Sequence, residues 1–268
     1  MEKNSIKLMG GLANMLFQIS TAYAYSKKHS KELFLTESGF HTIHKHISEY
    51  KDNIFSKLNF SNTNYPQPHT TLEEKGFHYN ELPYISGNVL LSGYFQSELY
   101  FKEYTDDIRN LFDIDSITFD FLVSNFATKH CKIDLVVDDT CSIHVRRGDF
   151  LNLPNHHPQQ GMDYYMKAAK KIGLDKKFLI FSDDINWCKE NFPDMDNFIF
   201  VEGLKDYEDL YLMSLCKHNI ICNSSFSWWA AWLNNNPNKQ VIMPKNWFGS
   251  AYSNFDTKDL CCKDWQII

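Results

Sequence analysis

From about residue 140 onward, short apolar runs alternate with helical patterns, and this alternation restricts the chain to very few architectures. Residues 141–145, 178–181, 198–201, 220–222 and 241–243 read as short strands, bounded by turn-forming residues. Residues 164–172, 187–192, 207–217 and 227–233 carry helical spacing, with Asp206 expected as the N-cap of the third. Strand, helix, strand repeated in this way means a parallel sheet wrapped by helices. Ligands of such sheets bind outside the carboxyl ends of the strands. The polar clusters fall there: 146–149 after the first strand, 182–184 after the second, 223–225 after the fourth.

The first half opens on the same unit. An apolar stretch to Met9 meets Gly10 and Gly11, a helical pattern runs over 13–28, and a second apolar run follows at 33–35. Between residues 40 and 83 periodicity gives way to His-, Asn- and Pro-containing sequence, read as an insertion. A strand resumes at 89–94, a helix follows to about residue 111, and 121–140 is expected to bridge the halves. A chain of 268 residues that is 43% hydrophobic can fill two cores. The expected fold is therefore α/β in two domains, 1–135 and 136–268.

Bulk properties narrow the partners. A net charge of −6 argues against a nucleic-acid binder, which carries a basic excess. The seven cysteines are scattered without a CxxC pair, and Cys261 and Cys262 are adjacent, an awkward spacing for a structural bridge. They read as reduced thiols. Residues 1–7 lead into no signal-peptide pattern, and no run approaches the ~18 apolar residues of a membrane span. The expectation is a cytoplasmic protein with at most peripheral association at the inner membrane.

The strongest chemical signal is Ser142-Ile143-His144-Val145-Arg146-Arg147-Gly148-Asp149. A strand ending in arginine puts a planar, permanently charged donor fork at the mouth of the sheet, suited to phosphate or carboxylate. Alternation keeps Ser142, His144 and Arg146 on one face and turns Arg147 away, so the two arginines have different tasks. The structural alternative is a salt bridge from an arginine to Asp149. The second signal is Asn223-Ser224-Ser225-Phe226-Ser227-Trp228-Trp229, a hydroxyl-rich turn into a helix. Its amides, dipole and hydroxyls suit a phosphate, and the same groups would simply cap a helix whose tryptophans are core. Asp209 is a lone carboxylate on a helix, which is ordinarily surface.

Six runs in order resemble a known family: Gly10-Gly11-Leu12-Ala13-Asn14-Met15-Leu16-Phe17-Gln18, Gly93-Tyr94-Phe95-Gln96-Ser97, His144 to Asp149, Phe181-Ser182-Asp183-Asp184, Asn223 to Trp229 with Ala231-Trp232-Leu233-Asn234, and Pro244 to Phe248. Together they resemble glycosyltransferase family 11, the α-1,2-fucosyltransferases, over nearly the whole chain. The resemblance implies a GT-B arrangement of two Rossmann-like domains facing across a cleft, 1–135 on the acceptor side and 136–268 binding GDP-fucose. It implies inverting transfer of L-fucose to the 2-hydroxyl of a galactose-containing glycan in surface polysaccharide assembly. Position by position, Arg146 resembles the arginine on the β-phosphate, and His144 and Asp209 resemble positions that address the nucleoside. Ser224, Ser225 and Phe226 resemble the pyrophosphate turn, and Gly11 and Asn14 the loop that closes over the donor. Arg147 belongs to the same substrate-binding set. Ala13 departs from a more usual glycine, and the role of Asn155-His156-His157-Pro158 is not implied.

The chemistry agrees with the label. Expelling GDP builds charge on the pyrophosphate, which must be neutralised by a metal or by cationic and amide donors. Arginine plus a helix N-terminus supplies the second solution, so no cofactor and no metal is expected. Asp113-Ile114-Asp115 and Asp194-Met195-Asp196 match the metal-binding DxD pattern, but neither sits at an expected strand end. His41, His44 and His46 match no ligand spacing. Asp149 is the first candidate for the general base, with pairing to Arg147 or capping of its loop as the opposing role, and His156 or His157 as substitutes. A metal-free transferase with another donor or acceptor, and a non-catalytic sugar-binding protein, remain the alternatives.

Overall fold

The computed structural model describes residues 1–38, 46–67, 69–129 and 138–268. The chain divides into two compact units, Met1–Asp113 with Phe255–Cys262, and Ile114–Asn254 with Lys263–Ile268. The boundary expected at 135/136 lies outside the described residues; the structural division comes earlier, after Asp113. The reason is the helix Ser116–Lys129, whose Val123 packs into the core of the second unit. The tail returns to the first unit because Phe255 packs edge-on against Phe77, with centroids 5.0 Å apart, and Asp259 accepts the Tyr79 N–H at 2.9 Å.

The first unit contains β1 (Lys3–Ile6), α1 (Leu12–Lys28), β2 (Glu32–Leu33), β3 (Leu35–Thr36), β4 (Phe60–Ser61), β5 (His69–Glu73), β6 (Asn88–Ser92) and α2 (Thr105–Leu111). Its main sheet has the order β2-β1-β6-β5 with every pair parallel. Strand β5 arises inside the stretch read as an insertion; its residues are all half-buried or exposed, so no apolar alternation marks it. Helix α1 is buried on almost every side, with Met15, Leu16, Phe17, Ile19 and Ala22 in the core.

The second unit contains α3 (Ser116–Lys129), β7 (Thr140–Val145), α4 (Met162–Ile172), β8 (Lys177–Ser182), α5 (Ile185–Asn191), β9 (Phe198–Phe200), α6 (Asp206–Leu215), β10 (His218–Ile220), α7 (Ser225–Leu233), β11 (Val241–Met243) and β12 (Gln266–Ile267). The sheet order is β12-β11-β10-β7-β8-β9, all parallel. Renumbered within the unit, this is the doubly wound order 3-2-1-4-5-6, whose direction reverses between β7 and β10. All six residues of β7 are buried, as a central strand covered on both faces requires. Trp228 and Trp229 of α7 are fully buried. The N-cap of α6 is Lys205 rather than Asp206, because the Glu208 carboxylate reaches back to accept the Lys205 N–H at 2.7 Å. The six described cysteines are free thiols, and no described helix is long and apolar enough to cross a membrane.

Candidate active site

The end of β7 delivers the first group of the site. Arg146 donates from Nε and Nη2 to Asp149 Oδ1, at 3.1 and 2.7 Å, and its Nη1 lies 3.2 Å from Asp183 Oδ2. Arg147 turns the other way, donating from Nε to Asp184 Oδ2 at 3.0 Å with its guanidinium carbon 4.1 Å from the centre of the Trp187 ring. The two arginines thus have separate tasks, as strand alternation requires. Asp149 pairs with Arg146 and not with Arg147, the partner weighed from sequence. The 3-10 turn Asp149–Asn152 starts directly after Gly148 and carries the carboxylate back over the strand end on the Arg146 side.

Asp183 and Asp184 stand in the sequence as a polar cluster after β8 and as part of one family-resembling run, with no role assigned to either. In the structure Asp183 also accepts the Arg147 N–H at 2.8 Å, and a Cβ on Gly148 would fall 2.4 Å from its Oδ2. Glycine is what lets this carboxylate lie against the turn. Asp184 caps α5 by accepting the Trp187 N–H at 3.3 Å while its other oxygen holds Arg147. The Arg146–Asp149 pair is an i,i+3 contact with side chains 31% and 51% exposed. Pairs this open are worth about 0–1 kcal/mol, so an incoming diphosphate, with more charge and more acceptors, can take the place of Asp149.

The second group follows β10. Ser224 is the N-cap of α7 and accepts the Phe226 N–H at 3.3 Å. The helix starts at Ser225, two residues before its apolar spacing, so Ser225 and Phe226 belong to its first turn, where unpaired N–H groups and the dipole favour an anion. Asn223, which is 4% exposed, fixes this turn. It donates to Pro158 O and Trp247 O, both at 3.1 Å, and accepts from Gln160 Nε2 at 3.1 Å. Because β7 and β10 are the adjacent strands at which the order reverses, Arg146 and the Ser224 turn flank the switch point of the sheet.

His144 lies behind them, buried, with Nδ1 3.2 Å from Cys222 Sγ and its ring centroid 5.4 Å from that of Phe226. Burial, and then the neighbouring Arg146 charge, lower its pKa to about 3. The imidazole is therefore neutral in the fold and protonates in the unfolded chain near pH 6.5. Its contribution is fully present above that value and declines as pH falls from about 6.5 towards 3, because the unfolded state binds the extra proton. His144→Phe should show a shallower loss of stability than the parent between pH 7 and 4, read as urea midpoints; identical slopes would contradict it.

Asp209 lies in the first turn of α6, half-buried. Because α6 leaves β9 at the carboxyl edge of the sheet, this places Asp209 on the same edge as Arg146. In the 155–158 segment, His157 stacks on Phe150 with centroids 4.3 Å apart, and His156 O accepts the Gly249 N–H at 2.9 Å. Asp194 and Asp196 precede β9 at the amino edge of the sheet, opposite the site, and Asp113 and Asp115 lie between α2 and α3. His46 caps a 3-10 turn, accepting the Ser48 N–H at 3.2 Å, while His41 and His44 lie outside the described residues.

The first unit carries its own switch point between β1 and β6. Gly10 has φ +78°, and a Cβ there would meet Asn14 Nδ2 at 2.4 Å. The turn that needs conformational freedom is therefore Gly10; Ala13 is an ordinary buried helical residue. Asn14 Oδ1 accepts from Gln96 Nε2 at 2.9 Å, and Gln18 links Met9 N to Gly93 O at 3.0 and 3.1 Å. The first turn of α1 and the 93–97 loop are thus fixed to one another.

The chain has relatives among characterised glycosyltransferases. The chain is 30% identical to the α-1,2-colitosyltransferase of Escherichia coli, with 98% of this chain and 97% of that protein covered. It is 33% identical to the galactoside α-(1,2)-fucosyltransferase 1 of Bos taurus across 34% of this chain and 28% of that one. The fold is that of the solved POFUT1 apo-form, at 10% identity, with 90% of this chain and 97% of that chain covered and a TM-score of 0.50. The profile of glycosyl transferase family 11 matches residues 1–268, and with a GT-B-type α/β fold and an arginine and a capped helix at its switch point, the chain belongs to that family of glycosyltransferases.

Proposed function

We propose that this glycosyltransferase moves L-fucose from GDP-fucose to the 2-hydroxyl of a galactose-containing glycan, with inversion and without a metal ion. The observation that carries the reading is the pairing of Arg146 with the amino end of α7 at the switch point. In the transfer the bond from the sugar C1 to the β-phosphate oxygen breaks, and GDP leaves with the electron pair. The acceptor oxygen bonds to C1 from the opposite face and gives up its proton. Arg146 and the Ser224–Phe226 turn take the charge developing on the leaving diphosphate. Asp209 takes the guanine edge, and Gly11 and Asn14 cover the donor.

Asp149 is the base in this reading. A diphosphate that occupies the Arg146 fork releases the Asp149 carboxylate next to the reacting carbon, where it can accept the hydroxyl proton. Asp149→Asn should therefore lower kcat by about 100-fold or more, with GDP affinity equal to or tighter than the parent's, since the competing charge is gone. Weakened GDP binding together with an early unfolding transition would make Asp149 structural.

The full-length match to a colitosyltransferase supports a second reading, in which the donor carries colitose. Incubation with a panel of nucleotide sugars and simple galactosides, in excess EDTA, separates the two. GDP release from GDP-fucose and an α-1,2-linked product by NMR are expected. Turnover only with the colitosyl donor would select the second reading, and loss of activity restored by added metal would overturn the metal-free mechanism. Saturable binding with no GDP release would make the chain a binder.

A further inference from the structure

A pocket on the first unit lies at the far end of α1 from Gly11 and Asn14. Its floor is Thr21, about 15 Å along the helix from Gly11 at 1.5 Å per residue. The remaining lining comes from the 79–82 segment and from Leu99, Tyr100, Glu103 and Tyr104, which follow the 93–97 loop. The recess is open to solvent at its mouth.

The walls are tyrosines: Tyr25, Tyr79, Tyr100 and Tyr104. Two of them are fixed in place. Tyr25 donates to Pro83 O at 2.9 Å and accepts the Ile85 N–H at 3.2 Å, and Tyr100 accepts the Asn80 N–H at 3.2 Å with its ring edge-on to Tyr79 and to Phe95. Burial raises the pKa of Tyr25, Tyr79 and Tyr100, so these hydroxyls stay protonated. Thr21 is 1% exposed, and its hydroxyl has no hydrogen-bond partner among the described residues. A buried hydroxyl left unpaired is costly, and rotation about its χ1 would offer it to a ligand.

The rim decides the ligand class. Lys28 pairs with Glu81 at 2.9 Å and Glu103 is exposed beside them, so carboxylates outnumber cations. That balance rejects phosphates and nucleotides. Apolar ring faces next to carboxylate acceptors and hydroxyls instead suit an uncharged polyhydroxylated ring, whose C–H face lies on a tyrosine while its hydroxyls donate to Glu81 and Glu103. We propose that the pocket formed by Thr21, Tyr79, Tyr104 and the Lys28–Glu81 rim is a second saccharide site, which holds a neutral sugar away from the residue undergoing transfer. The inference rests on the glycan acceptor proposed above only for its biological use, to retain a long acceptor through a second contact.

The test is titration of the isotopically labelled full chain, with GDP present, by lactose, maltose and cellobiose in turn, followed by amide NMR. Saturable shifts at Thr21, Lys28, Tyr79 and Glu81 are expected with at least one of the three sugars. They should persist in Arg146→Ala and weaken about tenfold in Tyr79→Ala, which loses one stacking face. Thr21→Trp, which fills the floor, should abolish them; because that variant can also disturb α1, Tyr79→Ala with an unchanged unfolding midpoint is the deciding one. No shift at these amides with any of the sugars at tens of millimolar overturns the site, as does a response that Tyr79→Ala leaves intact. The readout does not depend on turnover. A chain that binds sugar here but transfers no fucose keeps the pocket and loses the proposed reaction; one that transfers fucose with silent amides does the reverse.

Discussion

Arg146→Lys should lower kcat/KM for glycosyl transfer about a hundredfold, although the charge is kept. Losing a charge-assisted donor aimed at a leaving group typically costs about 3 kcal/mol in the transition state. The geometry says why lysine cannot substitute. Nε and Nη2 point to one side, where Asp149 now sits at 3.1 and 2.7 Å, while Nη1 is held from the other side by Asp183 at 3.2 Å. A single ammonium can meet one of those directions but not keep the fixed planar fork between them. Folding should be nearly untouched, since the pair with Asp149 is open to solvent and Arg147 keeps its own anchors in Asp184 and Trp187. Turnover near the parent's would remove the diphosphate from Arg146.

Asn223→Asp should destabilise the second unit by about 3 kcal/mol at pH 7, despite near-identical size. The asparagine is 4% exposed, and its amide nitrogen donates to the carbonyls of Pro158 and Trp247, both at 3.1 Å. An aspartate has no donor there, leaves two carbonyls unpaired and turns negative oxygen against them. The defect should shrink at lower pH as the introduced carboxyl protonates and regains one donor. Urea midpoints of parent and variant at pH 7 and pH 5 measure both effects. Coincident midpoints at pH 7 would mean that the 158–160 and 247 segments are held by other contacts. The Ser224 turn should also lose its position, so GDP binding is expected to weaken with stability.

Much of the site lies where strand periodicity put it. Arg146 and Arg147 diverge because successive side chains on an extended strand point to opposite faces, and Ser224 caps α7 because a hydroxyl before an apolar helix accepts a first-turn N–H. The details that failed were decided by one residue of context. Asp206 looked like a cap, yet Glu208 lies in register to reach the N–H of Lys205. A salt bridge from an arginine to Asp149 is the sequence expectation and is present, but to Arg146 rather than Arg147, because the direction of a carboxylate after a glycine depends on the turn that the glycine adopts, here φ −4° and ψ −104°. Strand β5 was invisible because neither of its faces is fully buried.

By itself the sequence determined the α/β alternation, the parallel sense of the strands and the edge of the sheet at which the arginines and the hydroxyl turn emerge. These follow from patterns that repeat every 2 or 3.6 residues, so a window of the chain contains them. Only the tertiary structure decided that β7 neighbours β10, which sets Arg146 beside the Ser224 turn, and that Asp183 braces Arg146 while Asp184 and Trp187 hold Arg147. Those pairings join residues tens of positions apart, and no local period records them. They are fixed when helices cover both faces of the sheet and the strand order that buries the most apolar surface brings the carboxylates and guanidinium groups to a common edge.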